Sequence, residues 1–185
     1  MKIVVLVKEV PDTYGDRKLS LETGLADRAA SERVLDEIGE RALEVALSYA
    51  DANPGTEVLV VSMAAEESAS TIRKGLAMGA ASALQVVDAG LAGADLGITA
   101  RVLAAAVQRV GFDLVITGNL STDGSGGVLP AMLAEHLGVA QATALSAVEI
   151  SDSEVSGTRA TDAGTAQVSA PLPAVISITE ALPEA

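Results

Sequence analysis

Short apolar segments alternate with amphipathic helical segments through residues 1–138, and this alternation constrains the fold more than any other feature. The first segment, Lys2–Val10 (KIVVLVKEV), is almost continuously apolar, which is typical of a strand buried on both faces. Further strands are predicted at Thr56–Met63, Ala83–Val87 and Asp113–Thr117. Apolar residues recur at helical spacing after each of them. The pattern therefore predicts βαβ units, with a parallel sheet and right-handed crossovers.

The helical segments have recognisable ends. Asp36 is in the position of an N-cap for the first helix, and Asn53-Pro54-Gly55 ends that helix because this tripeptide cannot continue it. In the second and third helices the spacing places Leu76 and Leu96 on the inward face. These later helices are predicted over Ala65–Met78, Asp95–Val110 and about Val128–Leu137.

The pattern changes after Gly138. Four segments beyond it are short, alternate in hydropathy and contain many Ser, Thr and Val residues, with polar turns between them. They are Leu145–Ile150, Val155–Thr161, Thr165–Ala170 and Ala174–Thr179. We expect them to form an antiparallel extension of the sheet, so that residues 1–138 and 139–185 together make one α/β domain.

Composition excludes several functions. The chain has 12 Lys and Arg against 25 Asp and Glu, a formal charge of 12 − 25 = −13, and only 2% of its residues are aromatic. Such a chain repels a polyanion and lacks rings that stack on bases, so we expect no nucleic-acid partner. It has no cysteine and one histidine, which excludes disulfides, thiol chemistry and cysteine-based metal sites. The sequence shows no secretory leader and no membrane span, and we expect a cytoplasmic protein.

One loop has the composition of a phosphate site. The segment Gly118–Gly127 (GNLSTDGSGG) joins a buried strand to a helix and contains four glycines; it is called the glycine loop below. Glycines let backbone amides approach a ligand closely, and the hydroxyls of Ser121, Thr122 and Ser125 can add donors. The alternative interpretation is that this segment is only a flexible surface loop. If the glycine loop does bind a phosphate, it lacks the lysine of a Walker A loop and the GxGxxG pattern, so a monophosphate or one end of a dinucleotide fits better than a triphosphate.

The sequence shows no residues that break bonds. His136 lies in the last helical turn before Gly138, where a partly buried structural histidine is expected, and Ser121 and Asp123 have no partner for acyl transfer. Lys8 and Glu9 are interpreted as charges at the solvent edge of the first strand. Ligands of open α/β sheets bind in a crevice beyond the carboxyl ends of the strands. Met63 ends the second predicted strand at that edge, where it could contact a flat ring. We therefore expect that the protein is not an enzyme and that any reactivity would come from a cofactor.

Several of these segments, taken in order, resemble the β subunit of electron transfer flavoproteins. Each segment is modest alone, but the ordered set is specific and covers almost the whole chain. The segments are Lys2–Asp12 (KIVVLVKEVPD), Asp27-Arg28, Asp36–Ala46 (DEIGERALEVA), Ile72–Ala80 (IRKGLAMGA), Asp113–Gly124 (DLVITGNLSTDG) and Leu172–Ile176 (LPAVI).

The resemblance implies a Rossmann-like, adenine-nucleotide-binding parallel sheet of the HUP and electron-transfer-flavoprotein type. It further implies a heterodimer with an α subunit that holds the redox FAD near the β surface. Electrons would pass from acyl-CoA or other dehydrogenases to a quinone-linked acceptor. The β subunit would hold AMP as a structural ligand, or a second FAD in members that bifurcate electrons.

The resemblance also implies which residues contact the nucleotide, and Thr13 or Tyr14 would lie near the flavin of the α subunit. The implied contacts at the strand ends and at the first helix are Leu6, Asp36, Glu37, Ile38, Gly39 and Met63. Those between the fourth strand and the last helix run from Ser121 to Met132 and include Ser121, Thr122, Asp123, Gly124, Ser125, Gly126, Gly127 and Val128.

The sequence departs from the family pattern at two places. Val128 stands where members often have Gln, and Pro130-Ala131 stands where they often have Gly-Pro, which affects side-chain contacts and not the backbone cradle. Typical members also continue past Glu184 with a partner-recognition loop and a Lys-rich stretch. The sequence is then either a piece of a longer chain or a shortened homologue.

Two other functions are compatible with parts of the pattern. A stand-alone nucleotide-sensing module of the universal stress protein type shares the architecture and would be a homodimer that binds ATP, but it does not explain the Val-Pro-Asp and Asp-Arg segments. An ATP pyrophosphatase or nucleotidyl transferase is disfavoured, because no catalytic Lys/His set and no SGGxDS-type loop are present.

Overall fold

A computed structural model describes residues 1–185. The helices are α1 (Glu37–Ala52), α2 (Ala69–Met78), α3 (Leu96–Val110) and α4 (Leu129–Leu137). The strands are β1 (Lys2–Leu6), β2 (Glu9–Pro11), β3 (Arg33–Leu35), β4 (Glu57–Met63), β5 (Ser82–Val86), β6 (Leu114–Gly118), β7 (Ala140–Ile150), β8 (Glu154–Thr161), β9 (Gly164–Pro171) and β10 (Ala174–Ile178). From β3 to β7, the four helices alternate with the strands, as the periodicity predicts.

Eight of the strands form one mostly parallel sheet, in the order β5-β4-β1-β6-β10-β7-β8-β9. The strands from β5 to β7 in this order pair in parallel, and β7, β8 and β9 pair antiparallel. From β1 the chain proceeds to β4 on one side and later to β6 on the other, so the strand order reverses between β1 and β6. This α/β fold with an antiparallel addition at its C-terminal side is the predicted class.

The last strand differs from its prediction. The segment that begins at Ala174 was expected in the antiparallel extension, whereas β10 lies between β6 and β7 and runs parallel to both. All five of its residues, Ala174–Ile178, are buried. A strand covered on both faces belongs in the interior of a sheet, which explains why this apolar segment takes the central place. Only β8 and β9 extend the sheet antiparallel from β7.

The first predicted strand, Lys2–Val10, is two strands. The chain leaves the main sheet after Leu6, and Glu9–Pro11 instead pairs antiparallel with Arg33–Leu35 in a separate ribbon. The carboxylate of Glu9 is buried there and accepts hydrogen bonds from the hydroxyls of Ser68 (2.7 Å) and Thr71 (2.5 Å). Glu9 is therefore a buried anchor and not the solvent-edge charge that its position suggested.

Helices cover both faces of the parallel sheet. Ile3 and Val5 pack in the larger core with α1 and α2, and Val4 and Leu6 pack with α3 and α4. Leu76 and Leu96, predicted to point inward, are about two-fifths exposed (40% and 41%).

The inward position of α2 is taken instead by Gly75, where a Cβ would lie 2.9 Å from Cγ2 of Val60. The absence of a side chain there lets α2 approach the sheet closely. In α3 the small residues Ala100, Ala104 and Ala106 are buried. None of the helices combines the length and the apolar composition needed to cross a membrane.

Candidate functional site

The candidate site lies at the carboxyl ends of β1 and β6, where the strand order reverses. Ligands of open α/β sheets bind at such a point. The segment that follows β6 is the glycine loop, and the amide of Asn119 joins it to β10 by donating to the carbonyl of Ile178 (2.9 Å). The start of α1 forms the adjacent wall.

Two glycines allow the loop and α1 to pack against the strand ends. A Cβ on Gly118 would lie 2.5 Å from Cγ2 of Ile38, a distance that a real contact cannot adopt. Gly39 packs on the chain just after β1, and a Cβ there would lie 3.5 Å from the Cα of Val7. Ile38 and Gly39, two of the residues implied by the resemblance, therefore shape the crevice by packing.

Asp36 connects α1 with the glycine loop. It occupies the predicted N-cap position, but its side chain makes no cap hydrogen bond, and Oδ2 accepts from the amide of Thr122 (3.1 Å). The residue is only 2% exposed. Burial raises the pKa of the Asp36 carboxyl, although the hydrogen bonds from Thr122 oppose the shift and the nearby charge of Asp123 adds to it. Its Oδ1 and the hydroxyl oxygen of Thr122 are buried without a well-aligned partner.

The first half of the glycine loop is a closed turn. The amide of Ser125 donates to the carbonyl of Ser121 (2.9 Å), and the amide of Gly124 donates to the Ser121 hydroxyl (3.2 Å). Ser125 and Gly127 both have positive φ, at 47° and 67°. The turn fixes the backbone of residues 121–125 without using the amides that follow it.

The second half of the loop presents free donors. The amides of Gly126, Gly127 and Val128 donate to no acceptor within the protein, and they directly precede α4. Unpaired amides at a helix N-terminus attract an anion, both by hydrogen bonding and through the helix dipole. This arrangement supplies the donors that a phosphate site needs, and phosphate binding here stays a prediction.

Asp123 does not present its carboxylate to the crevice. Its side chain is 8% exposed and pairs with the ammonium of Lys8 and the guanidinium of Arg28, each at 2.7 Å. Burial raises its pKa, but the hydrogen bonds and charges of these two cations outweigh that effect and hold the pKa well below its usual range. Lys8 therefore pairs with a buried anion instead of forming the solvent-edge charge expected from the sequence.

Arg17 adds a third cation, since its guanidinium donates to the carbonyl of Thr122. Sequence reasoning missed Lys8, Arg17 and Arg28 as parts of this site. The Asp27-Arg28 segment of the resemblance was the one available signal, and nothing in the pattern around Arg17 distinguishes it from a surface residue.

The other predicted residues are distributed unevenly around the crevice. Leu6 ends β1 and Met63 ends β4, and both lie on the sheet face that packs against α3 and α4. Glu37 is exposed and makes no hydrogen bond or ion pair with the loop. Tyr14 is 93% exposed. His136 is exposed as well, at the end of α4 remote from the loop, and not partly buried as expected.

Comparison with known proteins places this sequence in a family. Residues 23–185 match the family described as "Electron transfer flavoprotein domain". The chain is 46% identical to the electron transfer flavoprotein subunit beta of Mycobacterium tuberculosis (strain ATCC 25618 / H37Rv), over 98% of this chain and 70% of the relative. The corresponding subunit of Mycobacterium leprae (strain TN) is 44% identical over the same shares of the two chains.

A more distant relative has a different name. The "Caffeyl-CoA reductase-Etf complex subunit CarD" of Acetobacterium woodii is 32% identical over 98% of this chain and 70% of that protein. These similarities extend across both the parallel sheet and the antiparallel strands, and they favour the predicted electron-transfer resemblance over the stress-protein alternative. The chain belongs to the β-subunit family of electron transfer flavoproteins, whose members are electron-transfer subunits and not enzymes.

Proposed function

We propose that this chain binds AMP in the crevice between β1 and β6 and pairs with an α subunit that carries the redox FAD. The pair would pass electrons from acyl-CoA or other dehydrogenases to a quinone-linked acceptor, in the cytoplasm. The observation that carries the proposal is the set of unpaired amides of Gly126, Gly127 and Val128 at the start of α4.

The size of the cradle favours a single phosphate. The amides of Gly126, Gly127 and Val128 suffice for the oxygens of one phosphate, and the amides of Ser121 and Asp123 are also without a protein acceptor. No lysine follows the loop to hold further phosphates, as a Walker A lysine does. AMP satisfies this arrangement, and FAD fits if one phosphate of its pyrophosphate occupies the same position.

The walls of the crevice fit the rest of an adenine nucleotide. Oδ1 of Asp36 and the hydroxyl of Thr122 are buried beside each other, so these two groups shape the wall of the crevice by packing. Leu6 and Met63 would form an apolar wall at the strand ends, which we assign to the flat base.

The distribution of exposed apolar residues supports pairing with an α subunit. Except for Leu76, every exposed large apolar side chain lies at the carboxyl end of the parallel strands, in the segments around the crevice. These residues are Tyr14, Leu19, Leu21, Leu25, Val87, Leu96, Ile98, Leu120 and Val128. Apolar surface concentrated at one end is typical of an interaction site. The flavin of the α subunit would supply the redox chemistry, and this chain would supply the surface against which that flavin lies.

The nucleotide content of the purified protein tests this proposal. Denaturing the protein and analysing the released small molecules by mass spectrometry should yield AMP, or FAD, at about one per chain. Released ATP would support the stress-protein alternative. A protein that releases no nucleotide and gives no heat with either AMP or FAD in calorimetry would contradict the proposal.

A further inference from the structure

A long segment beside the glycine loop has little structure of its own. Residues 12–31, called the arm below, run between β2 and β3 and are almost entirely exposed. The arm contains one isolated bridge, between Leu19 and Ala26, a short 3₁₀ turn at Arg28–Ala30, and a small hairpin closed by the amides of Ser20 and Asp27. These contacts all lie within the arm, so attachments to other segments must set its position on the protein.

The base of the arm is fixed independently of the glycine loop. The ribbon formed by β2 and β3 is held to α2 through the buried carboxylate of Glu9, which accepts from the hydroxyl of Thr71 in α2 and from Ser68 just before the helix. The backbone also closes the base, because the amide of Asp12 donates to the carbonyl of Glu32 (2.8 Å). The two ends of the arm are therefore anchored whether or not a ligand is bound.

The middle of the arm contacts both the glycine loop and β2. Arg28 pairs with Asp123 at 2.7 Å, and Arg17 donates to the carbonyl of Thr122. Both contacts are made to the closed turn of residues 121–125, and Lys8 shares the carboxylate of Asp123. Leu25 adds an apolar contact with Gly93. The same guanidinium groups also donate to carbonyls of β2, Arg17 to Pro11 (3.0 Å) and Arg28 to Glu9 (3.4 Å), so they link the arm both to the closed turn and to the ribbon.

From this arrangement we propose that the Asp123–Arg28 ion pair is a positioning contact that couples nucleotide occupancy to the order of the arm. The inference rests on the proposed function. A phosphate held by the amides of residues 126–128 adds to the hydrogen bonds that already close the adjoining turn, and the more rigid turn holds Asp123 where Arg28 and Lys8 meet it. The ordered arm then presents its exposed tip, including Tyr14 and Leu21, in one position.

The three charged groups differ in burial, and this difference explains how the coupling can operate without unfolding the protein. The Asp123 side chain is almost fully buried, whereas Arg28 and Lys8 are 43% and 44% exposed. If Arg28 is lost, Lys8 still neutralises Asp123, so the glycine loop keeps its charge balance. The released arm can be solvated by water, since its remaining groups already face solvent.

Hydrogen exchange of the arm, measured by mass spectrometry with and without AMP, tests the inference. The reporting amides are Ser20 and Asp27, which donate to the carbonyls of Leu25 and Lys18 (both 2.8 Å). AMP should slow their exchange about fivefold or more, in the range of ordinary site-to-site coupling. Arg28→Gln should reduce this effect to less than about twofold, while calorimetry shows that AMP still binds.

Two further variants separate positioning from general stability. Arg28→Lys keeps the charge and should restore part of the protection by AMP. Arg73→Gln makes the same exchange at an exposed arginine of α2 that has no ion pair, and it should behave as the parent protein does. Exchange in β8 and β9 should not respond to AMP in any variant.

The outcomes are distinguishable. If AMP binds and the arm of the parent protein exchanges at the same rate with and without it, or if Arg28→Gln keeps full protection, the coupling is refuted and the proposed function remains. If calorimetry detects no binding of AMP or FAD to the parent protein, the proposed function fails, and the coupling fails with it.

Discussion

The two ends of the parallel strands are built in different ways. At the amino end the contacts are short and self-contained: the Lys2 amide donates to Asp113 (2.7 Å), and the amide of Asp113 donates back to the carbonyl of Lys2 (2.8 Å). At the carboxyl end, the amides of Gly126, Gly127 and Val128 before α4 donate to no acceptor within the protein. The amino end pairs its own polar groups, whereas the carboxyl end leaves donors free for the proposed ligand.

The two ends should differ most in how much stability is lost when a glycine is replaced by alanine. Gly118→Ala forces a Cβ against Ile38 at the start of α1, and we expect a loss of about 2–3 kcal/mol in the free energy of unfolding, together with weaker AMP binding. Gly138→Ala, in the turn between α4 and β7 at the amino end, has open space around its Cβ and costs about 1 kcal/mol through its left-handed φ of 67° alone. Chemical denaturation measures both, and equal losses would remove the distinction.

Neutralising one carboxylate at each end should also separate them. Asp123→Asn removes the partner of Lys8 and Arg28, and we expect a loss of about 2 kcal/mol in the free energy of unfolding near pH 7. Asp113→Asn changes an exposed group and should cost less than about 0.5 kcal/mol.

The effect at Asp123 should depend on pH in a fixed direction. Its pKa is lower in the folded than in the unfolded protein, so the charged form stabilises the fold. That contribution is complete above the unfolded pKa of 3.8 and is lost as the pH falls below it. The difference between parent and Asp123→Asn should therefore shrink from pH 6 to pH 3. A difference that is constant over this range would show that the ion pairs do not cause it.

Nucleotide affinity should respond at only one end. Gly127→Ala places a Cβ at positive φ and 2.9 Å from Cδ2 of Leu120, which displaces the cradle amides; we expect AMP to bind about tenfold more weakly. Gly55→Ala has a positive φ of 92° in the turn after α1, at the amino end, with nothing within 4 Å of its Cβ. Its affinity for AMP should equal that of the parent in calorimetry, although its stability falls. A matching loss of affinity in Gly55→Ala would point to a general effect on folding.

The smallest effect concerns backbone strain. The non-glycine residues with strained backbone angles also lie at the carboxyl end of the strands. Ser125 and Ala144 have positive φ, and the amide of Ala144 is held there by the Ser177 hydroxyl (2.8 Å) beside the end of β10. Ala144→Gly should raise the free energy of unfolding by about 0.5 kcal/mol, because glycine adopts this φ of 57° without a steric cost. An unchanged or lower thermal midpoint would show that the conformation is not strained.

The sequence predicts the fold better than it predicts the chemistry of the site. Alternating periods identify the helices and the parallel strands, because burial on one face or both leaves a local pattern. The glycine loop was recognisable for the same reason, since its composition is local. The position of β10 was not, because neighbours in a sheet are chosen by long-range pairing that the segment Ala174–Ile178 does not record.

The ion pairs around Asp123 show the same limit. Lys8 and Asp123 are 115 positions apart, and Arg28 and Asp123 are 95 apart, so no spacing rule could join them. Glu9 and Lys8 stand in a strand-like segment whose charges are indistinguishable from solvent-edge residues until the chain is seen to leave the sheet after Leu6. Family resemblance supplied Asp36, but the hydrogen bond from Thr122 that explains its burial is a property of the folded chain.

The central position of β10 has a consequence for how this protein is made. During synthesis, β6 and β7 emerge from the ribosome well before β10, yet they cannot pair with each other because β10 must lie between them. Until residues 174–178 are translated, both strands expose an unpaired edge, the kind of surface on which nascent chains aggregate. Completion of the sheet must wait for this late segment, so chaperone demand and translation pauses should matter most just before it appears.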